Sequence, residues 1–207
     1  MGIADIEKDL KFIRQTMESS SRYTNVPASG YLATGVLGLV GVWGTYTLLG
    51  DRKIVNISLV TPEDIQRLML LWLLVFLLSI GIVMFCAWRK ARKHGHSAWN
   101  SLAARMLLSQ TPVIFVAGVL SVALTKEGYL DLIPGMWLGI YGTILYSFSY
   151  FTGIEHKIEG ATFLGLGTLV LFVQGRIGLL LLGIGFGGIH LIAGCWRLFL
   201  EKRCYLK

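Results

Sequence analysis

Charged side chains are scarce in this sequence. Asp, Glu, Lys and Arg together make up 15% of the 207 residues and hydrophobic residues 54%, whereas a soluble domain carries about a quarter charged residues. So little polarity cannot cover a water-facing surface, and most of the chain must face lipid or itself. The mean hydropathy of +0.64 points the same way. Cysteine is sparse too: there are three, Cys86, Cys195 and Cys204. That is too few for a disulfide scaffold, and their positions near the basic ends of apolar stretches predict reduced thiols. His94, His96 and His156 lie in polar connections at spacings that match no zinc pattern. The opening residues mix acids with bases and lack an apolar core, so no cleaved signal peptide is expected, and neither end carries a lipidation pattern.

What the sequence does have is a succession of apolar stretches free of Asp, Glu, Lys and Arg: residues 31–49, 68–88, 106–124, 132–152, 161–173 and 177–196. About twenty such residues in a helix cross the hydrocarbon of a bilayer. The expected fold is all-α, a polytopic membrane bundle of about six transmembrane helices, with 161–173 the shortest span. Residues 29–200 form this bundle, 1–28 an amphipathic cytoplasmic helix and turn, and 201–207 a basic cytoplasmic tail. Thr61-Pro62-Glu63-Asp64 marks a helix start, because Thr can cap, Pro suits the first helical position and acids favour the positive dipole end.

In the N-terminal segment Ile3, Ile6, Leu10, Ile13 and Met17 recur at steps of three and four, with charged residues between them. The spacing predicts an amphipathic helix too short to be stable alone, whose apolar stripe docks on a partner, on the bundle or on the membrane surface. Basic residues gather on one side of the membrane in this scheme. Lys8, Lys11, Arg14 and Arg22 precede the first span, Arg89, Lys90, Arg92 and Lys93 follow the second, and Arg197, Lys202, Arg203 and Lys207 close the chain. The opposite side holds Arg52, Lys53, Arg67, Lys126 and Arg176. The bias places both termini in the cytoplasm and accounts for the net charge of +7 without nucleic acid.

The residues 9–18, Asp-Leu-Lys-Phe-Ile-Arg-Gln-Thr-Met-Glu, run on to Tyr23-Thr24 and Val26-Pro27. This opening stretch, with the Gly-rich first span, resembles a group of uncharacterised bacterial multi-pass membrane proteins. The resemblance implies a bacterial inner membrane and no particular activity.

No acidic or basic side chain falls inside an expected span, which argues against proton pumps and voltage sensors. Gln110 and His190 are the intramembrane polar candidates. His190 and Cys195 point roughly 140° apart on a helix and make no metal pair. No haem or other cofactor is expected. Small residues mark the candidate packing faces: Gly135, Gly139, Thr143 and Ser147 four apart, the pair Gly183 and Gly187, and glycines at every third position from Gly35 to Gly44. With no constellation for catalysis, the expected function is a non-enzymatic one, exercised through protein contact as an accessory subunit or scaffold of a membrane complex. Its partners would be the bilayer and another protein or a second copy docked on the Gly-lined faces. The alternative is a small-molecule or ion transporter or channel with a three-plus-three helix arrangement.

Overall fold

The computed structural model describes residues 27–93, 101–173 and 175–205, with side chains for all of these except 101–103, 204 and 205. The N-terminal stripe of Ile3, Ile6, Leu10, Ile13 and Met17 lies outside the described residues. Those described are arranged in helices, with no strand among them.

Helix α1 spans Ala28–Val55 and bends at Gly50, whose φ of 65° a side chain would disfavour. A short 3-10 turn, Ile57–Leu59, leads to α2, Pro62–Lys93. Its start is a reciprocal cap: the Asp64 N–H donates to Thr61 Oγ1 at 3.3 Å, and the Thr61 N–H donates to the Asp64 carboxylate at 2.8 Å. Helix α3, Ser101–Lys126, contains Pro112. Helix α4 covers Ile133–Thr152 with a proline in its first turn, and α5 covers Ile154–Phe172. Between them a single residue reverses the chain, Gly153 at φ 146°. Helix α6, Arg176–Leu182, passes through a Gly-rich π-helical segment, Gly183–Ile189, into α7, His190–Tyr205.

Among the described residues four helical stretches are long and apolar enough to cross a membrane: Ala28–Val55, Pro62–Lys93, Ala104–Lys126 and Arg176–Arg203. The protein is thus an all-helical chain suited to a bilayer. Helix α4 carries tyrosines, serines and glycines but no charged residue, and α5 opens on Glu155, Lys157 and Glu159. Outward-facing side chains on α2 and α3 include Leu70, Leu74, Leu77, Phe115, Val116 and Val119, a surface that suits lipid.

Helices α4 and α5 approach until their backbones touch. A methyl group added to Gly160 would lie 2.5 Å from the Tyr146 nitrogen, and one added to Gly167 would lie 2.5 Å from the Gly139 nitrogen. Such approach needs residues without side chains. Beside this pair sits the core of Leu138, Leu145, Phe163, Val170 and Leu182.

The expected seam of Gly135, Gly139, Thr143 and Ser147 requires correction. Gly135 and Gly139 do meet α5, but Thr143 is exposed and its hydroxyl donates to the Gly139 carbonyl of its own helix. Ser147 is turned to α3, where it accepts from Gln110. Each step of four residues advances about 40° around a helix, so the row leaves the contact after two members and Gly142 continues it. The first-span glycines drift similarly: Gly35 and Gly38 face the π segment and α7, while Gly41 faces Trp72 and Gly44 faces Leu71 of α2. Gly183 and Gly187 face α1 at Val42 and Leu39.

Candidate functional site

The end of the bundle where α1 begins, here the proximal end, holds a buried polar cluster contributed by four helices. Its centre is Arg197 of α7, with a side chain only 8% exposed. One guanidinium nitrogen lies 2.7 Å from Glu159 Oε1 of α5, and Nε lies 3.9 Å from Glu155. The guanidinium also sits 4.0 Å above the centre of the Tyr31 ring of α1, a cation–π contact strengthened by burial. Tyr31 donates its hydroxyl proton to the other Glu159 oxygen at 3.2 Å. A buried charge is tolerated when its partner neutralises it and the remaining lone pairs are bonded, and both conditions hold for Glu159.

Deeper in the bundle His190 continues the cluster. Its Nε2 is 2.7 Å from the hydroxyl of Tyr141 on α4, and its ring is packed by Tyr31, Phe163 and Phe186. The other ring nitrogen, Nδ1, is buried without a well-formed hydrogen bond. Phe186, His190 and Arg197 reach the same side of the rod because spacings of four and seven residues keep one helical face. On α5, His156, Glu159 and Phe163 share a face for the same reason.

His156 is buried at the polar start of α5, ahead of the apolar stretch that begins at Ala161, and packs edge-on against Tyr31. Burial lowers its pKa to about 4, and Arg197 nearby pushes in the same direction. Burial raises the Glu159 carboxyl above its usual range, against the opposing pull of Arg197 and the Tyr31 hydroxyl. These shifts have opposite consequences. A histidine with a depressed pKa stabilises the fold above pH 6.5 and loses that contribution as pH falls toward 4, on the order of 3 kcal/mol in all. A carboxyl with a raised pKa is relieved by acid and cannot cause that loss. The melting temperature in detergent is therefore expected to fall between pH 7 and pH 4.5 and to do so less steeply in His156→Gln, which leaves the buried His190 in place. An equally steep fall in the variant would remove His156 from the explanation.

The chain matches no family model, no curated protein and no solved structure. The site must be understood from its own chemistry. It offers paired charges, two phenols and two imidazoles, and among the described residues no group of three or more His, Cys, Asp or Glu is arranged to hold a metal ion.

Of the intramembrane candidates, His190 belongs to this cluster and Gln110 does not. Gln110 bridges α3 to α4 by donating to Ser147 at 3.3 Å, and it also donates to Ser109 of its own helix at 3.0 Å. Cys86 is half-buried and Cys195 exposed. Arg197, Glu159 and Tyr31 were not legible as site residues. The sequence places Arg197 with the basic residues that close the chain and Glu159 between the expected spans 132–152 and 161–173, whereas both lie within helices and Arg197 is buried. The available signal was positional: Arg197 follows His190 by two helical turns, and Glu155 and Glu159 share a face with Phe163.

Proposed function

We propose that the chain is a six-span integral membrane protein that works by contact, as an accessory subunit or scaffold of a membrane complex. The observation that carries this reading is a set of five polar contacts in which side chains of different helices are spent on one another. Trp72 donates to Thr45 at 3.0 Å, Trp137 donates to Ser121 at 3.0 Å, Gln110 donates to Ser147, Tyr141 meets His190 and Arg197 meets Glu159. These bonds fasten helices together and leave the same groups unavailable to line a path for solute. Meanwhile α2 and α3 keep broad apolar faces for lipid or a partner.

Crossing by α4 and α5 is supported by the ion pairs at the helix ends. At the distal end Lys53 pairs with Asp64 at 2.6 Å, and Arg176, just after α5, pairs with Asp51 at 2.9 Å. At the proximal end Lys90 pairs with Glu201 at 2.6 Å, and Glu159 near the start of α5 pairs with Arg197. Helix α5 therefore runs from one end to the other, with its charged start at the proximal interface and its apolar stretch from Ala161 within the bilayer. Antiparallel α4 accompanies it. The basic residues put the proximal end and both termini in the cytoplasm, and the resemblance of the opening stretch adds a bacterial inner membrane.

The amphipathic stripe at Ile3, Ile6, Leu10, Ile13 and Met17 is the proposed docking element. Leu10→Asp combined with Ile13→Asp should release co-purifying chains from protein extracted in mild detergent, while the bundle melts as before. An unchanged set of co-purifying proteins would sink the contact reading. The alternative, a transporter or channel, is favoured by one observation: a cluster of ionisable groups lies buried between α1 of the first half and α4, α5 and α7 of the second. Proton-coupled or solute uptake into proteoliposomes, abolished by Glu159→Gln, would replace the contact reading with this one.

A further inference from the structure

We propose that the proximal end of α2 is a binding site for one anionic phospholipid, with the phosphate held by Arg89, Arg92 and Lys93 and an acyl chain laid along the helix above them. A shallow, open groove of about 340 Å³ lies there on one face of α2, lined by Phe85, Trp88, Arg89, Arg92 and Lys93. The Phe85 and Trp88 rings lie 5.9 Å apart, and the Arg92 guanidinium is 5.3 Å from the centre of the Trp88 ring. That stacking holds one cation in place at the wall of the groove, with its donors left for an anion.

The same helix face supplies the apolar half of the site. Going up from the groove, Phe85, Gly81, Leu78 and Leu74 follow one another at helical spacing, and the three large side chains are each more than half exposed. The position of a side chain on Gly81 is open space, which makes a shallow notch one turn above Phe85. Apolar surface continuous with a cationic end fits an amphiphile with a negative headgroup, not a soluble anion. Charge supports the same occupant. Glu201, the acid beside this end of α2, is engaged by Lys90, and among the described residues no carboxylate pairs with Arg89, Arg92 or Lys93.

A similar pattern on α7 serves as the internal comparison. Trp196 and Phe199 stack at 6.1 Å with Arg203 4.9 Å from the Phe199 ring centre, whereas on α2 the ring-held Arg92 lines a groove together with Arg89 and Lys93. Diffuse attraction between a basic membrane face and anionic lipid would treat both places alike, at about fivefold in affinity per cation. A built site would not.

The test is native mass spectrometry of the full-length protein in detergent, titrated with dioleoyl phosphatidylglycerol or dioleoyl phosphatidylcholine. The first lipid is expected to bind at least tenfold tighter. The triple variant Arg89→Gln, Arg92→Gln, Lys93→Gln should lose about a hundredfold for phosphatidylglycerol. The pair Lys202→Gln, Arg203→Gln should lose less than about threefold. Trp88→Leu, which keeps every charge and is the safer variant for membrane insertion, should lose at least fivefold. Equal losses per charge removed at the two places, or an unchanged Trp88→Leu, would show diffuse electrostatics and overturn the proposal. Displacement of the lipid by millimolar inorganic phosphate would also overturn it, because the headgroup alone would then account for binding.

Discussion

Arg197→Ala is expected to destabilise the detergent-solubilised protein by about 3 to 5 kcal/mol, a range seen when one partner is removed from a buried ion pair. The loss has an identifiable source. Without the guanidinium, Glu159 remains in a largely enclosed position with only the Tyr31 hydroxyl as donor, and Tyr31 loses the cation over its ring. The double variant Arg197→Met, Glu159→Gln should recover most of the stability, since a buried pair replaced by neutral groups of similar volume is often close to neutral. Thermal unfolding of the three proteins at one pH would read this. Melting of Arg197→Ala within a degree or two of the parent would show the pair to be solvated and would sink the account. Recovered stability with lost partner binding or uptake in the double variant would assign the cluster to function as well as to packing.

Gly160→Ala combined with Gly167→Ala is expected to cost about 4 kcal/mol, roughly twice the usual penalty for one overpacked position. Added methyl groups would lie 2.5 Å from backbone nitrogens of Tyr146 and Gly139, and those atoms cannot rotate aside as a side-chain tip can. The two helices would have to part along their length, and Gly135 and Gly142 would lose contact with α5. Gly165→Ala and Gly188→Ala are the controls, because nothing lies within 4 Å of the added carbon at either position. Each should be neutral or gain a few tenths of a kcal/mol from better helix propensity. A protein in which all four substitutions behave alike would refute the close approach of α4 and α5.

The sequence by itself determined the solvent and the local starts and stops. Long uncharged apolar runs suit lipid wherever they are placed, so the helices long and apolar enough to cross a membrane, Ala28–Val55, Pro62–Lys93, Ala104–Lys126 and Arg176–Arg203, were legible from composition. The Thr61 cap was legible because a capping residue and the N–H that donates to it lie three positions apart and need no third element. The glycines from Gly35 to Gly44 were legible as a contact stripe because helical periodicity is local. Tertiary structure decided the rest. Hydropathy scores each charge as though it stood alone, and so it assigned Arg197 and Glu159 to water. Their burial depends on α5 and α7 meeting at the proximal end with Tyr31 between them, an arrangement no single helix encodes. The same dependence explains Thr143 and Ser147. Both are small and correctly spaced, but which face of α4 meets α5 is fixed by where Gly160 and Gly167 allow the backbones to touch. A charge or a small residue has no fixed meaning in a membrane helix until the partner surface is known, because the free energy that keeps it there belongs to the pair.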